Sequence, residues 1–188
     1  MQNNIFQYFD NIYHIKGEEE RNALQEIIKE VNFSKNEIIQ QQGNSCKTLY
    51  FVTFGIARIF YFKDGNDITE HFAFGGNIII RAESLFTEQP TQKGIQALTD
   101  LTVIAINAKK LFDLFNQYIE IERLFNKIFI QEYINTIKRV ESLQFKSASE
   151  RYAELLTETT LVNHLPLKYI ASYLGITQVS LSRIRTNL

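Results

Sequence analysis

The chain has 188 residues, a hydrophobic content of 45% and a formal net charge of −1 at pH 7. A charge so close to zero excludes a protein that coats nucleic acid over its whole surface, so any DNA contact must be local. The single cysteine, Cys46, excludes a disulfide framework, a multi-cysteine zinc site and an all-cysteine iron–sulfur cluster within one chain.

The N-terminal segment lacks the basic start, apolar core and small-residue cleavage pattern of a signal peptide. No apolar run approaches the roughly 20 residues needed to span a bilayer. We therefore predict a protein of the reducing cytoplasm that makes no membrane contact.

Residues 1–31 have a helical pattern that is interrupted at Lys16-Gly17. Three consecutive glutamates, Glu18 to Glu20, match the positive end of a helix dipole. Apolar residues then follow at helical spacing, at Leu24, Ile27, Ile28 and Val31. The pattern predicts a helix that continues to Val31.

From Phe33 to Ile106, short runs rich in β-branched and aromatic residues alternate with turn residues. The sequence Lys63-Asp64-Gly65-Asn66 indicates a tight hairpin, because Asp-Gly tolerates positive backbone φ angles. Many short strands with regular turns predict a sandwich, barrel or jelly roll, a fold that commonly encloses a ligand pocket.

A short helix is predicted at Lys109–Asn116 and a long one from Tyr118 to about Phe145, a stretch without proline or glycine. Its apolar residues form two overlapping stripes, which indicates packing on two sides: one on the barrel and one on a twin helix. The candidate dimerisation residues are Ile121, Leu124, Ile128, Ile130, Ile134 and Ile137. Packing of the helix wholly within one chain is the alternative. Ser147 and Glu150 have the spacing of a capping box that starts a further helix.

The stretch from Leu165 to Leu188 has the pattern of two short helices joined by a tight turn. Apolar residues share one face of each helix, and Gly175 and Thr177 are suited to end the first helix and cap the second. The buried residues expected of this helix-turn-helix are Leu167, Ile170, Leu174, Ile176, Leu181, Ile184 and Leu188.

The stretch carries three basic residues, Lys168, Arg183 and Arg185, and no acidic residue, a local charge of +3. A helix-turn-helix places its second helix in the major groove, where arginine and glutamine read base edges. The candidate DNA-binding residues are Lys168, Thr177, Gln178, Val179, Ser180, Ser182, Arg183 and Arg185. A helical hairpin with a solvated polar face is the alternative.

This order of elements resembles the cyclic-AMP receptor protein and FNR (Crp/Fnr) family of bacterial transcription regulators, in the short, diverged branch common in Bacteroidetes. The resemblance is carried by the sequence from Ile170-Ala171 to Arg183 and by glycine-marked turns in the β-rich region. The turns contain Gly43, Gly55, Asp64-Gly65 and Phe74-Gly75-Gly76-Asn77. The strand sequence Leu49-Tyr50-Phe51-Val52 lies between the first two of them.

The resemblance implies an α+β fold in three parts: a cyclic-nucleotide-binding-like jelly-roll sensor at 1–116, a dimerisation helix at 117–145 and a winged-helix-like helix-turn-helix domain at 146–188. It implies a homodimer that reads palindromic double-stranded DNA, with RNA polymerase as a further partner. The family's base-reading positions fall on Gln178, Val179 and Arg183, and a phosphate contact falls on Thr177. The chain ends after the recognition helix, so we expect the family's trailing wing strands to be missing and DNA affinity to be lower.

The expected effector pocket departs from the family pattern. The candidate residues are Arg81, Glu83, Ser84, Thr91 and Gln92. Glu83 matches the family's ribose-binding glutamate, but Pro90-Thr91-Gln92 stands where the family has an Arg-Ser pair on the cyclic phosphate. A buried phosphate would lack its charge-assisted hydrogen bonds. We therefore expect a small-molecule effector other than cyclic AMP, which should bind weakly or not at all, and no resident cofactor.

Two other functions fit parts of the sequence. A β-barrel enzyme is one, but it leaves the helix-turn-helix unexplained, and we find no phosphate loop, nucleophile elbow or spaced carboxylate pair. His71 lies in a predicted strand, but no second histidine lies two residues away, as it would in a metal-binding cupin barrel. We therefore do not expect His71 to bind a metal. A ligand-binding or dimerisation module that has lost DNA binding is the other. We predict a regulator and not an enzyme.

Overall fold

The computed structural model describes residues 2–186, so the predicted burial of Leu188 lies outside the described residues. The strands are β1 Ile28–Phe33, β2 Ile38–Gln40, β3 Thr48–Phe54, β4 Ala57–Lys63, β5 Asn66–Ala73, β6 Ile78–Ile79, β7 Gly94–Ala97 and β8 Leu101–Asn107. The helices are α1 Gln2–Ile12, α2 Glu18–Ile27, α3 Ala82–Thr87, α4 Ala108–Phe115, α5 Ile119–Phe145, α6 Ala148–Glu158, α7 Leu167–Leu174 and α8 Gln178–Thr186, and a 3₁₀ helix spans Thr160–His164.

The strands form two four-stranded sheets, ordered β1-β8-β3-β6 and β2-β7-β4-β5, with antiparallel pairing throughout. Small and branched side chains such as Ala57, Ala97 and Val103 fill the space between the sheets. The predicted jelly-roll-like α+β fold is therefore confirmed. The predicted Asp64-Gly65 hairpin joins β4 and β5, with φ angles of 51° and 77° at these two residues.

The prediction of a helix up to Val31 is wrong. The helix α2 ends at Ile27, and Ile28 to Phe33 form strand β1. Ile28 pairs with Ile106 and Val31 with Val103 on β8. Because β-branched residues suit a pleated strand, pairing with β8 outweighs the weak helical spacing.

Helices α1, α2, α4 and the first half of α5 cover the outer face of the first sheet. Phe9 of α1 lies 5.4 Å from Phe51 of β3 and 5.7 Å from Phe125 of α5, measured between ring centroids. Three of the predicted dimerisation residues, Ile121, Leu124 and Ile128, lie fully buried in this core. They pack within their own chain and are not available to a partner, which corrects that part of the prediction.

The C-terminal helices form another core beside β5. Leu155, Ile170, Leu174 and Leu181 are buried there together with Phe72 and neighbouring residues of the second sheet. The rings of Phe72 on β5 and Tyr173 on α7 lie 4.8 Å apart. The helix-turn-helix is therefore positioned directly against the β-roll.

Candidate DNA-reading helix and ligand-sensing groove

The turn between α7 and α8 has the geometry that the sequence predicts. Gly175 follows α7 with φ of 70°, a conformation that glycine adopts without a Cβ penalty. Its amide donates to the Ser172 carbonyl at 3.1 Å, and the Ile176 amide donates to the Ala171 carbonyl at 3.0 Å. These two bonds form a Schellman motif, which fixes the direction in which the chain leaves α7.

Helix α8 begins with a side-chain cap and is anchored by one fully buried residue. The Ser180 amide donates to Thr177 Oγ1 at 3.1 Å, and the Ser180 hydroxyl lies 3.0 Å from the same atom. Leu181 is fully buried against α7, and Ile184 is partly buried. Thr177 and Ser180 therefore cap the N-terminus of α8, in addition to any contact with DNA.

The opposite face of α8 is open. Gln178, Ser182 and Arg183 are exposed, and Val179 is 63% exposed. Arg183 makes no hydrogen bond or ion pair with any residue that the structure describes. These side chains form one polar, cationic surface, which we call the reading face: Gln178, Val179, Ser182 and Arg183.

The two other predicted cations are already engaged. Arg185 is partly buried, and its Nε donates to the Tyr152 hydroxyl at 2.9 Å. Lys168 lies at the start of α7, where its Nζ is 4.0 Å from Asp67 Oδ2 on β5. Each cation thus has a contact within its own chain, and Lys168 also stays exposed to solvent.

No local sequence signal marks the residues that hold α7 against the β-roll. Arg58 of β4 is only 2% exposed and forms a two-point ion pair with Asp67, at 2.7 and 2.9 Å. Its guanidinium lies 3.7 Å from the centre of the Tyr169 ring on α7. The Ser172 hydroxyl accepts a bond from the Thr69 amide at 3.0 Å.

Two further arginines bind the C-terminal end of α7. Arg151 of α6 donates to the Leu174 carbonyl at 2.8 Å, and Arg139 of α5 donates to the Tyr173 carbonyl. Cations at this end match the negative end of the helix dipole. The long helix is therefore directly linked to the turn that orients α8.

The second half of α5 carries an apolar surface that its own chain leaves uncovered. Ile130 is 59% exposed, and Tyr133, Ile134, Ile137 and Val140 are exposed as well. Their spacing places them along one side of the helix. Of the predicted dimerisation residues, only Ile130, Ile134 and Ile137 lie on this surface, which we call the α5 seam.

A groove of about 930 Å³ lies between β5, the α3 segment, the second half of α5, α6 and Tyr173 of α7. Arg81 and Glu83 line it, as predicted for an effector pocket, and so does His71. Burial, followed by the nearby Arg139 guanidinium, lowers the pKa of His71 to about 4. At neutral pH this imidazole is therefore uncharged.

The other predicted pocket residues lie elsewhere. Ser84 is buried, accepts a bond from the Cys46 amide at 2.8 Å and donates to the Gln89 carbonyl. Thr91 and Gln92 form backbone contacts with the loop at Gln42 to Asn44 and do not line the groove. The structure therefore brings together only Arg81 and Glu83 of the five.

Arg81 has a partner that the sequence analysis did not identify. Its Nη1 donates to Glu70 Oε1 at 2.8 Å, and Lys93 Nζ binds Glu70 Oε2. Burial raises the pKa of Glu70, but the bonds from Lys93 and Arg81 outweigh it and leave that pKa below its ordinary value. Glu70 is the extra residue of a β-bulge in β5, between His71 and Thr69, and its carboxylate lines the groove, which no local sequence signal indicates.

Comparisons with known proteins fit this geometry. The family model for the cyclic nucleotide-binding domain matches residues 30–118. No curated protein sequence gives a significant match. None of the helices in residues 2–186 combines the length and apolar composition that a bilayer-spanning helix requires.

Three solved structures illustrate the similarity. FixK2 from Bradyrhizobium japonicum is 20% identical with a TM-score of 0.71, over 86% of this chain and 84% of FixK2. A protein described as a Crp/Fnr-family transcriptional regulator from Eubacterium rectale is 18% identical with a TM-score of 0.69, over 91% and 82% of the two chains. The c-di-GMP-responsive regulator CLP from Xanthomonas campestris is 15% identical with a TM-score of 0.66, over 91% of each chain.

Identities this low establish the fold and leave the activity open. Residues 30–118 match the cyclic nucleotide-binding domain model, and the chain as a whole has the fold of the Crp/Fnr-type regulators, as the sequence resemblance predicts.

Proposed function

We propose that the protein is a transcription regulator that binds palindromic double-stranded DNA as a homodimer. The reading face of α8 carries this proposal, because it presents Gln178, Val179 and Arg183 from a helix fixed by buried Leu181. Arginine can bind guanine through two hydrogen bonds, and an apolar side chain can contact the methyl group of thymine. The similar fold of CLP, described as a global regulator of gene expression, supports the same role.

The α5 seam supports the homodimer. Apolar side chains exposed along one side of a long helix are typical of a helix that pairs with another. A two-fold axis along α5 would place two copies of α8 on the same side of the molecule. Their half-sites on DNA would then lie about 34 Å apart, one turn of the double helix.

The groove supports control by a small-molecule effector other than cyclic AMP. Its lining includes β5 of the sensor, α5, and Tyr173 next to the α7–α8 turn. A ligand there would contact both the sensor and the element that orients the reading face. Such a regulator acts in the cytoplasm by binding its effector and DNA, with RNA polymerase as a further partner. It requires no catalytic step.

The test is selection from a random duplex-DNA pool with the purified full chain, near physiological salt, with and without cell metabolite extract. We expect enrichment of a palindrome whose half-sites are one turn apart. Enrichment without extract would show that no added effector is needed.

The double variant Gln178→Ala/Arg183→Ala is the matched control, since it removes base-reading groups and keeps Leu181 and the Thr177 cap. It should enrich no palindrome. If the unaltered protein enriches none under either condition, the proposal of a DNA-binding regulator is contradicted, and a module without DNA binding is the remaining function.

A further inference from the structure

An ion-pair cluster formed by three separate segments of the β-roll reaches the groove, whose lining includes Glu70 and Arg81. Glu70 comes from β5, Arg81 precedes α3, and Lys93 precedes β7. Arg81 binds one oxygen of the Glu70 carboxylate and Lys93 binds the other. Both acceptor atoms of this carboxylate are therefore used by cations of the same chain.

The burial of Arg81 makes the loss of its anionic partner costly, although the Glu70 and Lys93 side chains are 32% and 34% exposed. Arg81 is 8% exposed, and its Nε atom is buried without a hydrogen-bond partner among the described residues. An arginine this deeply buried requires an anion nearby, because an uncompensated charge in a low-dielectric environment is strongly unfavourable. Glu70 is the anion that the fold supplies.

An anionic ligand that entered the groove would compete with Glu70 for the same donors. It would either leave the Glu70 carboxylate unpaired, or bring a second negative charge within a few ångströms of the first. Like charges at such a distance repel strongly when they are partly shielded from water. The donors that bind Glu70, Arg81 Nη1 and Lys93 Nζ, would thus reach an incoming phosphate only in competition with an anion already in place.

We propose that Glu70 is the specificity-determining residue of the sensor. Its carboxylate acts as a built-in anion that pairs with both Arg81 and Lys93, offsets one of their two positive charges and competes with phosphate-bearing ligands for their donors. This role of Glu70 goes beyond the proposed regulator function, because it identifies the residue that sets the class of ligand. It does not depend on DNA binding.

The test is calorimetric titration of the full chain with cyclic AMP, and separately with inorganic phosphate at constant ionic strength. The unaltered protein should bind neither at millimolar concentration. Glu70→Gln keeps the shape of the side chain and frees both cations, so it should bind at least one probe about tenfold more tightly or better.

Two variants establish that the gain comes from the freed cations. Glu158→Gln removes a charge from another part of the groove lining, where the structure describes no ion pair, and should bind neither probe. Adding Arg81→Gln to Glu70→Gln should abolish the acquired binding. A folded Glu70→Gln protein that gains no anion affinity would overturn the proposal.

A measurement on the unaltered protein also decides the matter if Glu70→Gln does not fold. Any rise in its melting temperature in phosphate over chloride of equal ionic strength should increase with phosphate concentration without saturating, as exclusion of phosphate from the protein surface predicts. Stabilisation by phosphate together with measurable binding would mean that Glu70 does not exclude anions. These readouts involve no DNA, so failure of this inference and failure of the proposed DNA binding are distinguishable.

Discussion

At the residue scale, Arg183 is the side chain whose proposed contribution to DNA binding can be isolated most directly. It is exposed and has no partner among the described residues, so its removal should leave the fold intact. We expect Arg183→Ala to weaken specific DNA binding by about 1–3 kcal/mol. Fluorescence anisotropy with the selected palindrome measures this loss.

The matched control for this variant is Arg123→Ala, which removes an exposed arginine from α5, outside the helix-turn-helix. It should bind the palindrome like the unaltered protein. Equal affinity of all three proteins would mean that the recognition helix has been misassigned.

His71 should make stability depend on pH. Its pKa is lowered to about 4 in the folded protein, and the ordinary value is 6.5. The unfolded chain therefore binds more protons between these values, and the free energy of unfolding should fall as pH decreases from 6.5 to 4. Arg139, Arg81 and Glu70 are the charged groups that face this imidazole.

Urea unfolding of His71→Gln over this pH range tests the prediction. As pH decreases from 6.5 to 4, the free energy of unfolding should fall less steeply for His71→Gln than for the unaltered protein. His164→Gln is the control, because His164 is exposed, and its free energy of unfolding should fall as steeply as that of the unaltered protein. Identical slopes for the unaltered protein and His71→Gln would contradict it.

Short-range signals identified the residues that control chain direction. The Ser147–Glu150 capping box, the Gly175 turn and the Thr177 cap all form as expected, because each depends on atoms within a few residues. Glu70, Arg58, Arg139 and Arg151 carry no such signal. Their partners lie on other strands and helices, so their roles depend on how those elements meet.

At the scale of the element, α5 shows how a sequence pattern can be correct and its interpretation incomplete. The two apolar stripes predict two packing surfaces, and the structure has a buried first half and an exposed seam. Ile121, Leu124 and Ile128 have the same side-chain chemistry as Ile130, Ile134 and Ile137. Which stripe stays exposed depends on where the helix leaves the β-roll.

The α5 seam leads to a prediction about assembly. Ile137→Glu places a charge in the seam and should weaken self-association by about 2 kcal/mol or more, because a carboxylate would have to be desolvated in the interface. Sedimentation equilibrium measures the dissociation constant.

Gln131→Glu is the control, since it adds the same charge on another side of the same helix. It should leave the dissociation constant unchanged. If Ile137→Glu associates as tightly as Gln131→Glu does, the seam is not the dimer interface.

At the scale of the whole molecule, the helix-turn-helix is packed on the β-roll through α7. The Arg58–Asp67 ion pair lies beneath this contact, with Arg58 almost completely buried. Asp67→Asn would leave the Arg58 charge without its counter-ion. We expect a loss of about 3 kcal/mol in the free energy of unfolding, measured in urea.

Asp64→Asn is the control, because Asp64 lies at the exposed hairpin tip with φ of 51°, a conformation that asparagine also tolerates. Asp64→Asn should leave the free energy of unfolding almost unchanged. A change below about 0.5 kcal/mol for Asp67→Asn would show that the ion pair contributes little to this interface.

The sequence by itself determined the succession of β-rich region, long helix and helix-turn-helix, the hairpin, the helix caps and the polar, cationic composition of the reading face, because these depend on local backbone preferences and short spacings. Only the tertiary structure decided that Ile28–Phe33 is a strand, which stripe of α5 is buried, that Arg185 binds Tyr152, and that Glu70 pairs with Arg81 and Lys93. Strand pairing, burial and charge pairing all join residues distant in the chain, and their energies exist only once those residues are brought together.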